Sequence, residues 1–143
     1  IVVTIFAIIS FLFLDKTIAY YFHNHIKDGI YHFIKLLSKL GQAEYFLIPS
    51  LLVYLIYKNR DEFIKKSMIL IFSSVVISGI IVNIIKIIFG RARPPLLFKE
   101  DIFGFTWFHF GHLYASFPSG HTTTAFSGFI ALAFIFPKYK YLF

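Results

Sequence analysis

Residues 67–85 form a run of nineteen without one charged side chain. A helix of about 20 apolar residues is what crosses the hydrocarbon core of a bilayer, so this run constrains the fold more than any other feature. Two further runs have similar character: residues 41–57, with Glu44 alone near one end, and residues 119–136, with no charge. The composition agrees, at 58% hydrophobic and 15% charged, against roughly 25% charged in average globular usage. Residues 1–14 are a shorter apolar run that starts without a methionine. No basic segment precedes it and no small-residue cleavage site follows, so it reads as a clipped membrane helix and not as a signal peptide.

The expected fold is therefore all-α, a polytopic membrane helix bundle with four transmembrane helices at about 1–22, 42–57, 67–89 and 119–136. Between the first two, "DGIYHFIKLLSKLG" sets Ile30, Phe33, Ile34, Leu37 and Leu40 on one helical stripe. Asp28, His32, Lys35 and Lys39 fall largely on the other side, and Gly41 is a natural stop. That pattern describes a helix lying in the interface. An amphipathic helix packed on the protein's own bundle would give the same pattern.

The formal charge is +7. In a soluble protein it would point to nucleic acid; beside membrane-length runs it points to anionic membrane lipid, and no nucleic-acid partner is expected. With no cysteine, a disulfide framework or thiolate metal site is excluded. The short connector "KNRDEFIKKS" holds four Lys/Arg and is expected on the cytoplasmic side, with Lys138 and Lys140. The other eight of the fourteen basic residues face the opposite way. They are spread over two longer segments, and three of them, Lys86, Arg91 and Arg93, can answer to a ligand instead.

Those three belong to "KIIFGRARP". Lys86 precedes Arg93 by seven residues, close to two helical turns, which puts both cations on one face if the helix runs that far. Singly, Lys86 would be an ordinary snorkelling anchor and Arg93 a solvated residue at a proline boundary. Downstream, "FPSGHTTT" opens the last apolar run. Ser119 stands where an N-cap belongs, and the first-turn amides of a helix, with its dipole, bind anions. Gly120 lets a phosphate oxygen approach closely, and His121 sits in the same turn. None of the other five histidines has such a setting.

Lys-six residues-Arg-Pro followed by Pro-Ser-Gly-His resembles the first two signature motifs of the type 2 phosphatidic acid phosphatase superfamily. "LSKLGQAEYFLIPSLL" is similar to the segment leading into the second helix in bacterial members. By position, the resemblance implies that Lys86 and Arg93 bind phosphoryl oxygens, that Ser119 and Gly120 add hydrogen bonds, and that His121 protonates the leaving oxygen. It implies no metal and no other cofactor, because the cations supply the charge that phosphoryl transfer needs. The family core has six helices, and its third motif, Ser-Arg-five residues-His-three residues-Asp, carries a histidine nucleophile that forms a phosphohistidine. No Ser-Arg pair occurs here, and no histidine has an aspartate four residues later. The expectation is one membrane phosphatase domain over 1–143, incomplete at both ends, with the nucleophile beyond residue 143 and no activity in this piece alone.

The expected function is removal of phosphate from a phospholipid or isoprenoid lipid phosphate at the periplasmic face of a bacterial inner membrane. Two alternatives use the same residues: a phosphotransferase passing phosphate between lipids, and a non-catalytic membrane protein that only binds an anion. Residues 98–117 include eight aromatics, which suit either an interfacial belt or a lid over a lipid tail. His109 and His112 in this loop receive no role.

Overall fold

The computed structural model describes residues 2–25, 28–39 and 41–142. Its regular elements are helical, and its one extended pairing among the described residues is an isolated antiparallel bridge, Arg91 with Phe105. The chain separates into two compact units, Ile1–Leu36 and Leu37–Phe143.

In the first unit α1 (Val2–Ile9) passes through a π-helical turn (Ser10–Leu14) into α2 (Asp15–His25). Helical structure thus continues past Asp15 and Lys16, three residues beyond the expected end. Helix α3 (Asp28–Lys39) carries the amphipathic pattern. Its stripe residues Ile30, Phe33, Ile34 and Leu37 are exposed, and Leu40 lies outside the described residues.

The second unit holds α4 (Glu44–Tyr57), α5 (Glu62–Phe89), α6 (Pro94–Glu100) and α7 (Gly120–Ile135). Among the described residues, two stretches are long and apolar enough to cross a membrane, Ile30–Tyr57 and Glu62–Phe89. A turn at Gly41–Ala43 interrupts the first; the second is one unbroken helix. Only 17% of the apolar window in α5 is buried, so α5 is not the core helix of a water-soluble domain. Ile69, Ile77, Ile80, Ile81 and Ile84 stand exposed along it, a surface suited to lipid.

Helix α5 begins five residues before the expected start. Asp61 caps it by accepting from the Ile64 amide at 2.9 Å, and Glu62 pairs with Lys65 at 3.1 Å and Lys66 at 3.5 Å. These pairs let the polar first turn be helical outside the apolar run. Ser67, Ile71, Val75 and Val82 are its buried residues, and those of α7 are Thr124, Gly128 and Ala131. Membrane helices associate through small and hydroxyl-bearing residues, and that is the pattern here. The Ser74 hydroxyl donates to the Ser127 carbonyl at 3.2 Å, and Ser78 meets the Ser127 hydroxyl at 3.0 Å. On the other side of α7, Gly128 lies against the Phe46 ring of α4, which also meets Phe129 edge-on at 5.5 Å. These contacts hold the middle of α7 against the middle of α5 and the first turns of α4.

Candidate functional site

Helix α5 does not reach Arg93. It stops at Phe89 because Gly90 adopts the left-handed conformation at φ 53°, with its amide bonded to the Lys86 carbonyl at 2.8 Å. Glycine reaches that region without steric cost. The chain then runs extended, pairing with the aromatic loop. Phe108 donates to the Ile88 carbonyl at 2.9 Å, Thr106 to Gly90 at 3.2 Å, and Ala92 to the Gly104 carbonyl at 2.9 Å. Arg93 reaches the same region as Lys86 through this clamp, and not along one helical face.

Two residues apart in extended backbone, the arginines would share a face; here they have different surroundings, Arg93 lining the cleft described below and Arg91 lying among aromatic rings. Arg91 packs over Phe105 and Phe117, 5.7 and 5.9 Å from the ring centroids. Phe89, Phe105, Trp107 and Phe117 form one aromatic cluster around it, with Phe89 at 5.3 to 5.7 Å from the other three. These loop aromatics are packed against Phe89, the last residue of α5.

Arg93 is tied down by other partners. Its amide donates to the Leu113 carbonyl at 2.8 Å, one guanidinium nitrogen reaches the Ala115 carbonyl at 3.4 Å, and it precedes Pro94 at the start of α6. Helix α6, absent from the sequence expectation, starts on two prolines suited to a first turn and buries Leu96 and Leu97. Ser116 holds the returning strand by donating to the carbonyls of Arg91 and Ala92, each at 2.9 Å. The Nε of Arg93 is buried and has no hydrogen-bond partner among the described residues. Such a donor is costly unless an acceptor meets it.

Ser119 caps α7: its side chain accepts from the Thr122 amide at 3.3 Å, and its carbonyl takes the Thr123 amide at 3.1 Å. The Gly120 and His121 amides are then the ones that helical geometry leaves without an intrahelical acceptor. A Cβ on residue 120 would stand 3.2 Å from the Lys86 Nζ, so the ammonium lies against the first turn of α7.

Lys86, Arg93, Ser119, Gly120 and His121 all line a single cleft of about 590 Å³, inside the usual range for ligand sites. The structure also puts Gln42, Glu44, His112 and Ser116 on its wall. Sequence reading gave none of these a role. Gln42 and Glu44 lie in the quoted "GQAEYF" segment, but nothing in its spacing ties them to the two motifs. His112 reaches the cleft, whereas His109 stacks on Tyr114 at 4.3 Å and does not line it.

Fold and cleft together define a helical membrane protein with a cation-lined site at the meeting of α4, α5 and α7. The model of the PAP2 superfamily matches residues 67–143, and the chain belongs to that family. It is 32% identical over 124 residues to a lipid A 1-phosphatase of Rhizobium johnstonii, covering 78% of this chain and 51% of that protein. A lipid A 1-phosphatase of Rhizobium etli is 42% identical over 73 residues, 51% of this chain and 32% of the relative. The chain thus spans about half or less of the curated relatives it matches. No solved structure matches it.

Proposed function

We propose that this chain forms the phosphate-binding part of a membrane phosphatase that removes phosphate from a lipid, with a lipid A-type phosphate as the leading candidate. One observation carries the reading: the two motifs, more than twenty residues apart, line one cleft with Lys86 against Gly120 and an unpartnered Arg93 Nε beside them. Lys86 and Arg93 hold the phosphoryl oxygens, and the Gly120 and His121 amides with the Ser119 hydroxyl complete the cradle. The developing negative charge is met by groups already in position.

The reaction runs in two displacements. A histidine nitrogen supplied by sequence beyond residue 143 attacks phosphorus, the bond to the lipid oxygen breaks, and His121 gives that oxygen its proton. Water then attacks the phosphohistidine, His121 takes a proton from it, and phosphate leaves. Lys86 and Arg93 do the work that a metal would do elsewhere, so no metal is required. The relatives' names support a lipid A substrate, and their bacterial source supports the inner membrane. The outer face is favoured because Lys86 lies near the far end of a 28-residue helix from the basic connector, about 36 Å from the helix start at 1.5 Å per residue.

The test is phosphate release by the full-length protein from lipid A, phosphatidic acid, phosphatidylglycerol phosphate and undecaprenyl pyrophosphate, with and without a chelator. Chelator-resistant release is expected. Release from none of them, or release abolished by the chelator, would refute this reading.

A further inference from the structure

A second cavity lies away from the cleft. Ser50 and Tyr54 of α4 face Met68, Ile69, Phe72 and Ser73 of α5 across a groove of about 210 Å³. The serine hydroxyls in its wall are already satisfied: Ser50 donates to the Leu47 carbonyl at 3.1 Å and Ser73 to the Leu70 carbonyl at 3.2 Å. What those residues leave to the groove is hydrocarbon, where a polar ligand finds little to bond. Leu51, also in the wall, and Ile69 are exposed, so the groove is continuous with the apolar surface that α5 turns to lipid. Tyr54 is the lining residue of α4 nearest the connector, with a hydroxyl suited to the depth of lipid headgroups.

A cation heads each wall. On α4 the Lys58 amide donates to the Tyr54 carbonyl at 2.8 Å and its backbone stays helical, so Ser50, Tyr54 and Lys58 recur at four-residue steps on one face. On α5, Lys65 precedes Met68 and Ile69 by three and four residues and Phe72 by seven, again the spacing of one helix face. Lys58 is exposed and enters no ion pair among the described residues. Lys65 pairs at 3.1 Å with Glu62, which is exposed, and a surface pair of that kind contributes little. Asp61 is engaged in capping the Ile64 amide. Two cations above a hydrocarbon groove match an anionic head on an apolar tail; an apolar helix laid in the groove would have no use for them.

We propose that the α4–α5 groove holds an acyl chain of one anionic phospholipid, whose phosphate lies between Lys58 and Lys65. Basic pockets between membrane helices are suited to such headgroups. The leaflet is the one opposite the cleft, because Lys65 stands near the start of α5 and Lys86 in its last turn. The site is independent of the chemistry at the cleft: its lipid is a bound companion and not a substrate. Bridging the two helices, it stabilises their pairing by binding the folded state.

The test is native mass spectrometry of the full-length protein in detergent, titrated with phosphatidylglycerol and with phosphatidylcholine of the same acyl chains. Wild type is expected to hold one phosphatidylglycerol at least about fivefold more tightly than phosphatidylcholine. Lys58→Ala and Lys65→Ala should each weaken that binding by about fivefold, and Lys58→Arg should keep it. Ser73→Leu, which fills the groove, should weaken it with both lysines in place. Lys99→Ala, which removes a cation elsewhere, should bind as wild type does. Thermal melts show that each variant is folded; should Ser73→Leu melt early, the lysine variants still decide. Equal binding of the two lipids, lysine variants that bind as wild type does, or undiminished binding by a folded Ser73→Leu would overturn the proposal. So would the retention of no lipid at all, the result expected if a helix from another part of the full-length protein fills the groove.

Discussion

The Lys86 ammonium rests against Gly120, so that a single methyl group on residue 120 would come within 3.2 Å of Nζ. A charged group at the end of α5 and a glycine at the start of α7 are thereby parts of one surface. The contact is tight, but the neighbour is the flexible end of a lysine. Gly120→Ala should therefore spare the fold and displace the cation. The expected result is a loss of about tenfold in kcat/KM, about 1.4 kcal/mol of barrier, with a thermal melt close to wild type. A large drop in melting temperature would show that Gly120 serves packing instead.

Arg93 should not be replaceable by lysine. Its fork can grip two phosphoryl oxygens, whereas an ammonium is a point charge. The guanidinium is already steered by the Ala115 carbonyl at 3.4 Å. Arg93→Lys in the full-length enzyme should lose ten- to a thousandfold in rate, about 1.4 to 4 kcal/mol. Steady-state turnover on any accepted lipid phosphate measures this, and wild-type turnover would make Arg93 a mere surface charge.

Arg91, only two residues away, should behave in the opposite sense. It packs over Phe105 and Phe117, and a cation over aromatic faces contributes about 0.5–2 kcal/mol. Arg91→Ala should lower thermal stability by an amount of that order while KM stays within about threefold of wild type. Melting curves and KM measured on the same preparation separate the two outcomes; a KM as weak as that of Arg93→Ala would place Arg91 in the cleft.

Much of this was legible because it is local. The charge-free run announces α5, the Ser119 cap announces α7, and two short motifs name the five residues that share the cleft. What the sequence did not disclose depends on distant partners. The sequence placed the end of this helix at residue 89 and joined Lys86 to Arg93 on one face only if it ran further; it does end there, at Gly90, whose positive φ Thr106 and Trp107 surround. Helix α6 was hidden behind the prolines that start it. Glu44 and Gln42 read as the polar lead-in to an apolar run, because only the packing of Gly41 on His121 brings them to the site. The different surroundings of Arg91, over Phe105 and Phe117, and of Arg93, in the cleft, likewise depend on partners distant in sequence.

The packing of α4 on α7 can be tested apart from chemistry. Gly128 has no room for a side chain beside Phe46. Gly128→Val should lower stability by about 1–3 kcal/mol, the usual range for overpacking. Phe46→Ala in the same chain should recover part of that loss. Thermal melts of the two single variants and the double variant give the coupling, and strictly additive effects would show that the two residues do not interlock.

The most direct test of the cleft as a phosphate site is vanadate binding to the purified full-length protein, since it needs no substrate to be known. Wild type should bind vanadate. Lys86→Ala and Arg93→Ala should each weaken binding by at least about tenfold, the loss of one charge-assisted contact of about 1.4 kcal/mol or more, and Arg91→Ala should bind as wild type does. Undiminished binding by Arg93→Ala and Lys86→Ala would contradict the account at its centre.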